Sequence, residues 1–278
     1  MRRLRDLAAL APLAAVVAAA GCGGGGSGSL PLPQMQAAVV TPPPGAVVDA
    51  RQWGGRDLAL GRVGETATVS VVGPQGNGVN GLTVRIDGRT ADSCGAGCYR
   101  ARAGDGPVVV DVGGRSFRFD VPASAPPGAA LVTRITRAYG RLRSVALVQR
   151  LASSAAPPLV TRFLFVAPDR LSYANEGGSQ AVVIGARRWD RPSPTGRWAR
   201  SPQQRVRVMH PPWRRAIDAH VVAPHTVTFF DPETRAWFRV VVDPQTSLPR
   251  TVRMIGVSHF MLDRFSRFDE PISIVPPR

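Results

Sequence analysis

Apolar and polar positions alternate in short runs along most of this 278-residue chain, and glycine, proline, asparagine and aspartate interrupt them. That pattern belongs to antiparallel strands joined by tight turns. Between about Val47 and Val121 the runs are Thr66 to Val72, Leu82 to Asp87, Cys98 to Ala103, Val108 to Val112 and Ser116 to Val121. Asp87-Gly88 and Gly113-Gly114 suit two-residue hairpins, whose central residues need positive φ. Around the second, Val110 and Val112 alternate with Asp111, and Phe117 and Phe119 with Arg118. The spacing predicts a small immunoglobulin-like β-sandwich over residues 45–123.

Pro122 to Pro127 then stiffens a boundary, and a helix is expected over Ala129 to Ser144. Leu131, Ile135, Ala138 or Tyr139, and Leu142 share one face of it, with Arg134, Arg137 and Arg141 opposite. Strands resume at Val145 to Ala152, Leu159 to Ala167, Arg170 to Asn175, Gln180 to Ile184, Arg187 to Arg191, Arg205 to Met209, Thr226 to Asp231, Trp237 to Asp243 and Arg250 to Val257. They predict a large antiparallel sheet. Pro211 to Ala219 reads as a short helix, and His259 to Phe268 as an extended or helical closing piece.

Several of these strands are apolar on both sides, as in Phe163 to Val166 and Trp237 to Val242. A sheet with one wet face alternates, so the second face here must meet a helix, another sheet or a ligand-sized apolar hollow. Leu164, Val166, Val182, Ile184, Phe229, Trp237, Val240 and Val242 are the candidates for lining such a hollow.

The first residues change the picture of where the protein works. Arg2, Arg3 and Arg5 precede an apolar stretch from Leu7 to Ala20, the layout of a secretory leader. Ala19-Ala20-Gly21-Cys22, followed by Gly23 to Ser29, resembles the lipobox and flexible tether of bacterial lipoproteins. That resemblance implies a signal peptide over 1–22, lipid (palmitate among its acyl groups) on Cys22, and a Gly/Ser/Pro tether over 23–44. The protein is then extracytoplasmic or periplasmic and held on the membrane by its N-terminal lipid. Removing Cys22 from three cysteines leaves Cys94 and Cys98. A disulfide between them is expected in an oxidising compartment, a redox-active pair or a metal site being the alternatives.

Charge and motifs mainly exclude. The net charge is +16 and all 35 basic residues are arginine. They are scattered through strands, which argues against a nucleic-acid partner and leaves attraction to anionic head groups. The sequence holds no nucleophile elbow, phosphate-cradling loop or zinc-protease motif, so neither an enzyme nor a cofactor is expected. His210, His220, His225 and His259 with Met209, Met254 or Met261 leave a copper reading open, though His220 and His225 flank Pro224 at a spacing unlike a zinc pair.

One further resemblance covers residues 126–278. Ala167-Pro-Asp-Arg-Leu-Ser-Tyr173, Gln180 to Asp190, Val242-Asp243-Pro-Gln-Thr-Ser-Leu-Pro249 and the closing Phe265 to Pro276 are similar to the lipoprotein-carrier superfamily that includes LolA, LolB and the LppX and LprG lipoproteins. The resemblance implies a curved antiparallel half-barrel wrapped around helices, making the whole chain mainly β (α+β). It also implies an apolar interior that accepts acyl chains of a lipid or a lipoprotein, without chemistry. The expected function is a membrane-anchored lipoprotein binding an apolar ligand in that cavity. The alternative is a copper-handling or sensory ectodomain in which the half-barrel is only a scaffold.

Overall fold

The computed structural model describes residues 40–152, 157–257 and 259–278; Cys22, the expected leader and most of the expected tether lie outside them. Over the described residues the fold is mainly β, with one helix. The N-terminal part comprises β1 (Val47–Trp53), β2 (Arg56–Val63), β3 (Thr66–Val72), β4 (Val84–Ile86), β5 (Arg89–Thr90), β6 (Asp92–Gly95), β7 (Cys98–Arg102), β8 (Val108–Val112) and β9 (Arg115–Phe119). They form two antiparallel sheets, ordered β1-β2-β3-β7-β6 and β5-β4-β8-β9. Leu58, Leu60, Val69, Val71, Ile86, Val110 and Phe119 fill the core these sheets share. The predicted hairpins form at Asp87-Gly88 and Gly113-Gly114, all four residues at positive φ.

Buried Arg62 lashes this core's loops together. Its guanidinium donates to the carbonyls of Gly64, Gly104, Gly106 and Val121. These four acceptors offset the cost of burying the guanidinium, which is fully enclosed.

Cys94 and Cys98 are joined as a disulfide, which closes the β6–β7 turn. The turn leans on the preceding loop: Gly97 N–H donates to Asn80 Oδ1 at 2.7 Å and Val71 N–H to Gly97 O at 2.9 Å. A Cβ on Gly78 would sit 1.8 Å from Ala96 O. Gly78→Ala therefore forces the two loops apart and is expected to cost roughly 1–3 kcal/mol, read as a lowered midpoint in urea unfolding.

Helix α1 (Ala129–Gly140) follows the proline boundary. Eleven strands come next: β10 (Ser144–Ala152), β11 (Leu159–Val166), β12 (Arg170–Asn175), β13 (Gln180–Ile184), β14 (Arg187–Arg191), β15 (Ala199–Ser201), β16 (Ile217–Ala223), β17 (Thr226–Asp231), β18 (Ala236–Val242), β19 (Pro249–Gly256) and β20 (His259–Ser266). They make one open antiparallel sheet, β15-β14-β13-β12-β11-β10-β20-β19-β18-β17-β16. It consists of two meanders, joined where β10 pairs with β20. The piece at 259–266 is thus a strand. The segment 202–216 is neither strand nor helix, in place of the strand expected at 205–209 and the helix expected at 211–219; Ile217–Ala223 is β16 instead.

Each face of the sheet has its own cover. On the inner face α1 contributes Val132, Ile135 and Tyr139, and Trp213 wedges against Phe229 and Phe238 at 5.4 and 5.9 Å. On the outer face, Ala46 and strands β1 and β2 with Val48, Ala50 and Ala59 lie on Phe230, Trp237, Ile255 and Phe260. Asp49, 2% exposed, is central to this contact: Arg51 meets it at 2.7 Å, Arg239 at 3.4 Å, and Arg253 through a short ion pair. Farther along the outer face runs a strap after β20. Ser144 Oγ donates to Glu270 O, Arg170 Nη1 to Ile274 O at 2.9 Å, and the Ile274 side chain is buried.

Candidate functional site

Register decides which side chains share a face, because residues paired across strands project to the same side and successive residues alternate. On the inner face one row runs Val145, Phe165, Leu171, Val183, Arg188 across β10 to β14. The next runs Leu147, Phe163, Tyr173, Ala181, Asp190. The third is polar: Asp263, Gln149, Thr161, Asn175. Hydrogen bonds knit its members, Gln149 Nε2 donating to Asp263 Oδ1 at 3.0 Å and Thr161 Oγ1 to Asn175 Oδ1 at 2.7 Å.

The first two rows make an apolar trough, bounded along one side by the polar row. Its far end is closed by charge. Arg188 Nε donates to both carboxylate oxygens of Asp190 at 2.9 and 2.8 Å, and Arg188 Nη2 donates to Tyr173 OH at 2.9 Å. The bond to Asp190 is the chief reason the Arg188 pKa is raised, and it holds the Asp190 carboxyl below its usual range although partial burial opposes this.

The cover over the trough is unlike the cover elsewhere. Where α1 and Trp213 sit, Phe229, Phe238, Val240 and Val252 are fully buried. Over the trough lies the irregular segment 202–216, which contributes Val206, Val208 and Met209. Val208 N–H reaches Pro168 O at 3.3 Å. Beneath it Phe163, Phe165 and Tyr173 stay half-buried, with Phe163 5.7 Å from each of the other two rings.

The eight residues proposed from sequence do not line one hollow. Phe229, Val240 and Val242 are on the inner face, the first two packed solid under α1. Val242 also edges a surface hollow of about 370 Å³ beside Leu131, Arg134, His225 and Asp243. Trp237 is on the outer face, covered by the N-terminal sheet. Leu164, Val166, Val182 and Ile184 lie half-buried on that outer face too, near the strap. The inner trough uses their immediate neighbours, Phe163, Phe165, Leu171, Tyr173 and Val183. Two-sided apolar strands give no phase, so the run Phe163-Leu164-Phe165-Val166 does not tell which pair faces in.

The histidines are dispersed. His210 is on the covering segment, His220 on β16, His225 at positive φ in the next turn, and His259 exposed on β20. Among the described residues no three His, Cys, Asp or Glu side chains converge as metal ligands. Nor, among those residues, is any helix long and apolar enough to cross a membrane.

No protein-family model matches the chain, and no curated protein matches its sequence. Among solved structures it is similar to a LolA superfamily protein from Nitrosomonas europaea. The identity is 12% and the TM-score 0.30, over 51% of this chain and 94% of that one. So slight a likeness fixes neither family nor ligand.

Proposed function

We propose that the protein is an extracytoplasmic lipoprotein, anchored through Cys22, that binds the acyl chain of a lipid or lipoprotein in the trough on the inner face of its eleven-stranded sheet. The observation that carries this reading is the half-buried aromatic row Phe163, Phe165 and Tyr173 under a cover with no regular structure of its own. Displacing residues 205–209 exposes an apolar floor while few backbone hydrogen bonds are lost. A chain laid there gains about 0.8 kcal/mol per buried CH₂. Tyr173, Arg188 and the polar row supply hydrogen-bonding groups at the margins, where a glycerol, ester or carboxyl group would end the chain. The reading involves binding and release, with no bond made or broken.

Two measurements test it. A fluorescent long-chain fatty acid is expected to bind the purified chain saturably, and Phe163→Arg, which places a charge on the floor, to weaken binding roughly tenfold or more. Absence of saturable binding, together with native mass spectra free of lipid, overturns the trough. Separately, labelled palmitate fed to expressing bacteria is expected to enter the protein and to be lost with Cys22→Ser; unlabelled wild-type protein overturns the anchor.

A further inference from the structure

The opposite face of the sheet carries a second feature, at the β14–β15 edge. A hollow of about 630 Å³ opens there, lined chiefly by Trp189, Arg191, Arg197, Trp198, Arg200 and Arg278. No Asp or Glu side chain is among its lining residues. Trp189 and Arg200 are register partners, and Arg191 follows on the same face. The guanidinium of Arg191 lies 4.8 Å from the Trp198 ring, and those of Arg200 and Arg187 lie 5.6 and 5.8 Å from Trp189. Arg191 is also fixed through two hydrogen bonds to Gln180 Oε1, at 3.0 and 2.6 Å.

This arrangement holds positive charge together without neutralising it. Like charges crowded at one edge repel, and an indole face offsets that by cation–π attraction while leaving the N–H donors on the guanidinium rim free. Arg197 and Arg200 have no carboxylate within ion-pair distance among the described residues. Planar donors converging without a counter-charge match a phosphate, which arginine grips through paired N–H groups.

The surroundings say which phosphate. Behind Trp189 on the same face lie half-buried Val182 and Leu164, with Ile184 beside Arg187. Arginine, the half-buried indole of Trp198 and an adjoining apolar row are the composition that settles at a membrane–water boundary. A soluble anion would need the arginines alone. The geometry points to a phospholipid head-group site: the hollow takes the phosphodiester of an anionic membrane lipid and sets the sheet edge against the bilayer. It lies on the opposite face from the trough, so it stands whether or not the trough takes a chain.

The test uses the full chain with Cys22→Ala, so that no acyl group contributes, sedimented with vesicles. Binding is expected to be roughly tenfold tighter to vesicles of equal parts phosphatidylglycerol and phosphatidylcholine than to phosphatidylcholine alone. Arg197→Gln with Arg200→Gln is expected to remove most of that preference. The charge-matched pair Arg134→Gln with Arg137→Gln, both exposed on α1, is expected to keep it. Equal binding to the two vesicle types overturns the site, as does an equal loss in both double variants, which marks unspecific attraction by a chain of net charge +16. Free glycerol phosphate quenching tryptophan fluorescence as tightly as the vesicles bind also overturns it, by making a soluble anion the ligand.

Discussion

Asp57→Asn and Asp263→Asn, made separately, each stabilise the fold at about pH 8 by up to roughly 4 kcal/mol, and change it little at about pH 4. Asp57 is 1% exposed on the sheet face that meets the larger sheet, and neither carboxylate oxygen has a hydrogen-bond partner. Burial raises its pKa from 3.8 to about 7. Asp263 is 3% exposed on the inner face, and burial likewise raises it to about 7, against the opposing hydrogen bond from Gln149. In the unfolded chain both ionise near 3.8. The folded state therefore binds more protons across the interval between, so the contribution of each group is fully present below about pH 4 and is lost as pH rises through 7. An asparagine stays neutral throughout and removes that loss. Thermal unfolding across this range is the measurement, and a wild-type midpoint that does not fall with rising pH contradicts the account.

Asp49→Asn is expected to destabilise the protein by about 3–5 kcal/mol at neutral pH, because it strands the partly buried Arg239 and Arg253 without their counter-charge. Burial alone would push the Asp49 carboxyl up, but Arg253, then Arg51 and Arg239, outweigh burial and hold it below the usual carboxylate range. Its sign is opposite to that of Asp57: the stabilisation is present above about pH 4 and lost as pH falls through the lowered value. Arg253 pays the converse cost, burial being the main reason its pKa is lowered. Since these charges bridge β1 to β18 and β19, urea unfolding of Asp49→Asn should also show the N-terminal sheets separating before the large sheet melts. Replacing Asp49, Arg239 and Arg253 together by Leu, Met and Met should recover much of the loss, since apolar packing substitutes well for a buried ion cluster. If the triple variant is no better than Asp49→Asn, packing and not charge holds this contact.

Much of the fold was legible in local pattern. Asp87-Gly88 and Gly113-Gly114 specify their hairpins chemically, and the helical face of Val132, Ile135 and Tyr139 falls within the stretch predicted as helix. What was not legible depended on partners distant in sequence. The polar or glycine-bearing strands β1 and β2 lack strong alternation, because Ala46, Val48, Ala50 and Ala59 are covered by the large sheet while Leu58 and Leu60 face the sandwich core. Residues 205–209 alternate as a strand should, with Val206 and Val208 buried, yet they join none of the described sheets and serve as a cover. The proposed trough differs from the residues read from sequence by one position of phase, with Phe163 and Phe165 in place of Leu164 and Val166. The Trp–Arg hollow needed β15 and the residues after β20 to be brought beside Trp189, which spacing along the chain does not indicate.

The seam between β10 and β20 joins residues more than a hundred positions apart. Of the described strands β20 comes last in the chain, and until it docks the two meanders are unjoined, with bare edges at β10 and β19. The sheet becomes continuous through late closure of a very long loop, a slow class of folding event. Until then the emerging chain presents the strand edges that invite intermolecular pairing, so a holding factor that shields them during biogenesis would act on β10 and β19.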